Sequence, residues 1–215
     1  MHGSQPRYSI PDEITDLKRA VRYIRYNAKS FNIDPGHIGI TGSSSGGHLS
    51  LMVALSDDIK DTVSKDPVDK VSSRVQAAAV FYPPTDFLNW GRPNANLASA
   101  KPLLARAGVA SAFAYQRFND TTNTYEVIND QERVLTILKE TSPFYAVSSD
   151  DPPILIIHGD ADPVVPLEQS ETLIQKLEAA KVTNQFILKK GGAHGWKNIE
   201  KDEQNFVDWF DKYLK

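Results

Sequence analysis

Apolar residues recur along the first third of the chain in patterns that predict two helices and a strand. Apolar positions three or four apart over residues 14–31 form one stripe of a helix that begins near Asp12, with Pro11 ahead of it. Residues 38–41 form a short apolar run that predicts a strand. Residues 45–56 are apolar on most sides, which predicts a buried helix.

The rest of the chain continues this alternation of strands and helices. Apolar runs at residues 75–82, 153–158 and 185–189 predict strands, and Pro83 and Pro84 end the first of them. Helical stripes follow at residues 167–180 and 206–214. Strands that alternate with helices predict a three-layer α/β/α fold around a mostly parallel sheet.

One long segment, residues 86–151, departs from this pattern. It is rich in Asn, Ala and Thr, shows no strand alternation, and carries the spacing of one late helix at Val127, Val134, Ile137 and Leu138. We interpret it as a cap-like insertion above the sheet. A chain of 215 residues is then expected to form a single domain over residues 1–215.

Composition excludes several classes of partner. The net charge of -3 predicts no binding of nucleic acid or of an anionic membrane. No run of 18 apolar residues and no secretory leader are apparent, so we expect a cytoplasmic protein. The chain has no cysteine, which excludes disulfides and a cysteine nucleophile, and we expect neither a metal nor a cofactor.

The segment from Gly42 to Gly47 reads G-S-S-S-G-G and lies between a predicted strand and a predicted helix. Its G-x-S-x-G frame selects Ser44, because small flanking residues let a strained turn expose the central hydroxyl. A Gly/Ser loop that merely caps a helix is the alternative interpretation of this segment. Ser43 and Ser45 flank Ser44 within this frame and would be capping residues.

Two further strand ends carry residues suited to acyl transfer. Asp160 and Asp162 follow the strand at residues 153–158, and His194 follows the strand at residues 185–189. A serine needs a nearby base, which histidine supplies near neutral pH, and a carboxylate fixes the imidazole tautomer. We favour Asp162 as the acid, and interpret Asp160 as a turn residue.

The other histidines and Trp196 have simpler interpretations. His158 and His194 with two aspartates are candidate metal ligands, but no metal-binding spacing accompanies them. We interpret His158 as structural and His48 as a packed, hydrogen-bonded residue. His2 and His37 are expected at the surface, and Trp196 is expected to cover the core.

Taken together, these motifs resemble the α/β-hydrolase superfamily, in its esterase/lipase group related to prolyl-oligopeptidase-like hydrolases. The resemblance runs from about Pro11 onward and rests on G-x-S-x-G-G, H-G-D-x-D-x-x-V-P and G-x-x-H-G, in that order. It implies a triad of Ser44, Asp162 and His194. It also implies an α/β-hydrolase fold and hydrolysis of small esters with short acyl chains.

The chain departs from this family pattern at its beginning. Family members carry earlier strands and an H-G-G-type loop that donates to the oxyanion hole, and the chain resembles the second half of that fold. The backbone N–H of Ser45 is then expected to be one oxyanion donor. A second is expected from the Gly3–Ser4 backbone, a side chain or a partner subunit. The strand at residues 38–41 would be an open edge, which predicts a homo-oligomer.

Three functions remain open at this point. The first is a serine esterase acting on a small-molecule ester. The second is a peptidase of the prolyl-oligopeptidase type, although no propeller domain is present. The third is a catalytically weak, shortened hydrolase that acts as an interaction scaffold.

Overall fold

The fold is built on two sheets, seen in a computed structural model that describes residues 8–215. Within those residues the strands are β1 (Gly39–Ser43), β2 (Ala77–Phe81), β3 (Gln116–Asn119), β4 (Thr124–Val127), β5 (Ile154–Gly159) and β6 (Asn184–Lys189). The main sheet has the order β1-β2-β5-β6, and its neighbouring strands are all parallel. Because the strands are parallel, their carboxyl ends meet at one edge of the sheet.

Helices account for most of the remaining regular structure. They are α1 (Ile10–Tyr26), α2 (Ala28–Phe31), α3 (Ser45–Leu55), α4 (Lys101–Arg106), α5 (Gln131–Glu140), α6 (Pro143–Ala146), α7 (Glu168–Ala179) and α8 (Glu203–Tyr213). Helix α1 begins earlier than the sequence predicts, with Pro11 inside its first turn rather than ahead of it. The Ser9 backbone N–H donates to the Asp12 carboxylate at 2.8 Å, which caps this end of the helix.

Both faces of the main sheet are covered, and alternate residues of β2 show how. Ala78 and Val80 pack with α1, α3 and α7 in one apolar cluster. Ala77, Ala79 and Phe81 face the opposite cluster, which contains Phe206 and Trp209 of α8. All residues of β2 are buried, as expected for an interior strand of a parallel sheet. The predicted three-layer α/β/α arrangement is confirmed.

The segment at residues 86–151 holds more structure than the sequence predicts. Helix α5 matches the late helix, but Val127 ends strand β4 instead of beginning that helix. Strands β3 and β4 form an antiparallel hairpin, and α4 precedes it. Buried side chains of this segment form one apolar cluster with Ile10 and Ile14 of α1 and with Met52 of α3.

Strand β1 is an edge strand of the main sheet. Across residues 8–215 it pairs with β2 on one side and with no strand on the other. In the same part of the chain, no helix combines the length and apolar character needed to cross a membrane.

Candidate active site

Ser44 lies in a sharp turn between β1 and α3, at the carboxyl edge of the sheet. Its backbone has φ 53° and ψ −124°, a strained conformation for a residue with a side chain. Its N–H donates to the carbonyl oxygen of Phe81 on β2 at 3.0 Å, which anchors the turn to the sheet. Glycines beside it allow this approach, since a Cβ on Gly42 would lie 2.5 Å from the carbonyl carbon of Gly46.

The structure brings Ser44, His194 and Asp162 together although they are far apart in sequence. The Oγ atom of Ser44 lies 2.8 Å from Nε2 of His194, and Nδ1 of His194 lies 2.8 Å from Oδ2 of Asp162. The carboxylate can only accept from the imidazole, so Nδ1 carries the proton and Nε2 is free to accept the serine proton. This is the hydrogen-bond chain that activates a serine nucleophile.

The Asp162 carboxylate is held in place from both of its oxygens. Its Oδ1 accepts from the backbone N–H groups of Val164 at 2.8 Å and Val165 at 3.0 Å. Its Oδ2 faces His194, and its side chain is 0 % exposed. A buried carboxylate with these donors is fixed in one rotamer, which in turn orients the imidazole.

A second imidazole approaches the same carboxylate. Nε2 of His158 lies 3.1 Å from the carbonyl oxygen of Val165 and 3.4 Å from Oδ2 of Asp162. Because those oxygens only accept, Nε2 carries the proton, and Nδ1 accepts from the Ser170 hydroxyl at 2.7 Å. Burial lowers the pKa of His158, and the nearby Val165 carbonyl and Asp162 carboxylate oppose this. His158 therefore supports the Asp162 loop as a neutral, buried residue.

Asp160, the alternative acid, lies elsewhere in the site. Asp160 lies in a turn directly after β5, as expected, and its Oδ1 accepts from the backbone N–H of Gly191 at 2.6 Å, which joins the two loops. A Cβ on Gly159 would lie 2.9 Å from the carbonyl oxygen of Ala193. This close approach of backbones sets Asp162 within reach of His194.

The loop that carries His194 is tied down beyond the imidazole. The indole N–H of Trp196 donates to Asp202 at 2.6 Å, and Nζ of Lys189 donates to the same carboxylate at 2.8 Å. The Trp196 ring packs against Phe81 with centroids 5.8 Å apart. Trp196 thus covers the core beside the base, as its position in the sequence suggested.

Tyr82 is a site residue that the sequence reasoning missed. Its ring lies against the His194 imidazole with centroids 4.5 Å apart, and its φ of 35° is positive. Burial raises the pKa of its hydroxyl, as does Asp162, while a hydrogen bond with Ser43 opposes them. The signal for it in the sequence is its place at the carboxyl end of β2, directly before Pro83 and Pro84.

The backbone N–H of Ser45 lies at the amino-terminal end of α3, next to Ser44. Ser45 is the first residue of α3, and N–H groups in the first turn of a helix have no partner within that helix. The Gly3–Ser4 backbone expected as a second donor, like the surface position expected for His2, lies outside the described residues.

A cavity of about 330 Å³ opens beside Ser44 and His194. We call it the Ser44 cavity; its walls include Leu49, Phe87, Leu97, Leu104 and Phe113, and are mostly apolar. The last four come from the segment at residues 86–151. The segment therefore contributes apolar side chains to the wall of the Ser44 cavity.

His48 also lines the Ser44 cavity, one helical turn after the serine. Its Nε2 lies 2.7 Å from the carbonyl oxygen of Thr141, and its ring packs on Phe87 with centroids 4.7 Å apart. Burial lowers the pKa of His48 to about 4, against the effect of the Thr141 carbonyl. His48 is a packed, hydrogen-bonded residue as expected, and the half-exposed His37 pairs with Asp34.

A metal site was the alternative role for these side chains. Over the described part of the chain, no group of three or more His, Asp or Glu side chains is arranged to hold a metal ion. The imidazoles of His158 and His194 instead share the Asp162 carboxylate.

The sequence of this chain is similar to those of known proteins. A family model described as BD-FAE matches residues 2–177. The probable carboxylic ester hydrolase LipM of Mycobacterium tuberculosis is 40% identical over 82 residues, which are 38% of this chain and 19% of LipM. The chain therefore spans about a fifth of the length of that relative.

Two solved structures align with nearly the whole chain. A truncated form of a carbohydrate esterase from gut microbiota has a TM-score of 0.68 at 31% identity, over 94% of this chain and 68% of that one. An acetyl ester-xyloside bifunctional hydrolase from Caldicellulosiruptor lactoaceticus has a TM-score of 0.66 at 30% identity, over 97% and 65%. These similarities confirm the predicted α/β-hydrolase fold.

Proposed function

The chain belongs to the BD-FAE family of α/β-hydrolase esterases, and from this we propose that it hydrolyses carboxylic esters through an acyl-enzyme on Ser44. The observation that carries the proposal is the hydrogen-bond chain from Ser44 through His194 to Asp162, with 2.8 Å at each link. The three relatives described above, all with ester-hydrolase names, support an esterase over a peptidase.

Acylation uses His194 first as a base and then as an acid. Ser44 Oγ attacks the ester carbonyl carbon while its proton passes to Nε2 of His194. The carbonyl oxygen becomes an oxyanion that accepts from the Ser45 N–H. When the carbon–oxygen bond to the alcohol breaks, His194 returns that proton to the leaving oxygen, and the acyl group stays on Ser44.

Deacylation repeats the same steps with water. His194 takes a proton from a water molecule as its oxygen attacks the acyl carbon. The bond to Ser44 Oγ then breaks, His194 returns the proton to Oγ, and the carboxylic acid leaves. Asp162 stays ionised throughout and stabilises the imidazolium through Nδ1–H.

The Ser44 cavity supports a small substrate. Its volume of about 330 Å³ is at the lower end of the range for ligand pockets, about 300–1,000 Å³. Its apolar walls favour an apolar group next to the ester carbonyl. A small ester with a short acyl chain fits both observations.

The domain organisation, oligomeric state and cellular location of the protein are further proposals. We propose a single domain in which residues 86–151 are a cap-like insertion, supported by the apolar cluster that joins them to α1 and α3. A homo-oligomer would cover the free edge of β1, and sedimentation at micromolar concentration as a monomer would contradict it. A cytoplasmic location is a prediction that cell fractionation would test.

The test combines an ester assay with a probe for active serines. Wild-type protein is incubated with a short-chain nitrophenyl ester and with a fluorophosphonate. Ser44→Ala should lose turnover by at least ~10³-fold and lose labelling, because the Ser44 hydroxyl is the one that lies within hydrogen-bond reach of His194 in the proposed triad. The control is Ser30→Ala, which changes an exposed serine on α2 and should keep both signals.

The outcomes separate the candidate functions. Ester turnover that disappears only with Ser44→Ala supports the proposal. Turnover of peptide substrates without ester turnover would favour the peptidase instead. A wild-type protein that is folded but shows neither labelling nor turnover would refute an esterase and favour the interaction scaffold.

A further inference from the structure

A second cavity lies behind the wall of the Ser44 cavity. It has a volume of about 650 Å³ and is lined by side chains from residues 96–105, 110–115 and 127–135. We call it the insertion cavity, because all of its lining lies in the segment at residues 86–151. Leu104 and Phe113 line both cavities, so their side chains form the partition between them.

The ring contacts of Phe113 show that it lies between the two spaces. Its ring meets Phe87, which lines the Ser44 cavity, with centroids 5.2 Å apart. It also meets Tyr115, which lines the insertion cavity, with centroids 6.4 Å apart. Leu104 on α4 is 6 % exposed and fills the partition beside it.

A series of ring contacts links α3, which follows the nucleophile, to this partition. The His48 ring, one turn after Ser44, packs on Phe87, and Phe87 packs on Phe113. His194 must protonate the departing alcohol, so the alcohol leaves on the His194 side. The acyl chain is then the part of the ester expected to extend toward the partition.

We propose that Leu104 and Phe113 set the upper limit of acyl-chain length for this enzyme, by closing the Ser44 cavity off from the insertion cavity. The proposal rests on the proposed function, since it concerns the substrate of the same site. Each methylene that finds a buried place raises kcat/KM by about fourfold. In the wild type, this gain in kcat/KM should stop at the length at which the acyl chain meets the partition.

The test compares straight-chain nitrophenyl esters from two to twelve acyl carbons. Phe113→Ala, and separately Leu104→Ala, should move the optimum to longer chains. The ratio of kcat/KM for the ten-carbon ester over the four-carbon ester should rise at least ~10-fold, because several methylenes gain buried places. Thermal melting and fluorophosphonate labelling show whether each variant is folded with an intact Ser44.

Two leucine variants serve as matched controls. Leu97 is buried and lines only the Ser44 cavity, whereas Leu135 lines only the insertion cavity. Leu135→Ala should leave the chain-length profile unchanged. Leu97→Ala adds room without opening the partition, so its shift should be smaller than that of Leu104→Ala.

Calorimetric binding of straight-chain carboxylates, from four to twelve carbons, gives a readout without turnover. The affinity of the wild type for these carboxylates should stop rising at the chain length where kcat/KM for the esters stops rising. The affinity of Phe113→Ala should continue to rise with longer chains. Absence of ester turnover would count against the esterase alone. The partition proposal would be overturned if folded Phe113→Ala and Leu104→Ala variants kept the wild-type dependence on acyl-chain length. A shift of the same size in Leu97→Ala would overturn it as well.

Discussion

The turn that exposes Ser44 depends on the absence of a side chain at Gly42, and this can be tested with one methyl group. A Cβ at Gly42 would lie 2.5 Å from the carbonyl carbon and closer still to the carbonyl oxygen of Gly46, and 2.9 Å from the Gly47 nitrogen. These are backbone atoms in the first turn of α3, so they cannot rotate away. The methyl group must push β1 and α3 apart.

The structure sets the size of the expected effect. Overpacking of this kind costs about 1–3 kcal/mol, and we expect the upper end because the obstructing atoms are backbone. In a domain of this size, each kcal/mol shifts the Tm by about 2–4 °C, so Gly42→Ala should melt ~6–12 °C lower. A displacement of Ser44 by ~1 Å should also reduce kcat by about 10²-fold.

Gly46→Ala is the matched control, four residues along the same turn. A Cβ there meets nothing within 4 Å, and Gly46 lies in the first turn of α3. Replacing a helical glycine by alanine should raise stability by up to ~1 kcal/mol. Scanning calorimetry and nitrophenyl-ester kinetics measure both variants, and equal Tm and kcat for Gly42→Ala and Gly46→Ala would refute the close-packing argument.

Three further predictions concern the residues around the triad. Asp162→Asn should reduce kcat by about 10⁴-fold with little change in Tm, because the amide NH₂ would face Nδ1 of His194 and favour the tautomer that cannot accept the serine proton; ester kinetics near the wild-type rate would contradict this. The pKa of His48 is lowered to about 4 in the folded state, below its unfolded value near 6.5. Between these two pH values the unfolded protein binds a proton that the folded protein does not, so the free energy of unfolding should fall as the pH drops from ~6.5 to ~4. The loss should reach roughly 3 kcal/mol, and urea denaturation of His48→Asn against the wild type should show a flatter pH dependence. His158→Phe should lower the free energy of unfolding by about 1–3 kcal/mol, since it leaves the Ser170 hydroxyl and the Val165 carbonyl without their imidazole partner; in denaturant melts, an unchanged midpoint would show that these bonds contribute nothing net.

The insertion was the part of the fold that local patterns described least well. Strands β3 and β4 have mixed, largely exposed side chains, so neither shows the alternation that marks a half-buried strand. Val127 fits the stripe of the following helix by spacing alone, yet it pairs with Gln116 across the hairpin. Cross-strand partners decide such short strands, and a local window does not contain them.

The sequence by itself determined the order of strands and helices outside residues 86–151, the central serine of the turn and the loops that carry Asp162 and His194. Each of these leaves a local mark, because burial of one face imposes a period and a tight turn demands small residues. Only the tertiary structure decided which side chains contact one another across those loops. The contact of Tyr82 with the base, the approach of His158 to Asp162 and the partition at Phe113 all join residues from separate elements. Such contacts depend on how packed layers bring distant segments together, and no spacing along the chain encodes that distance.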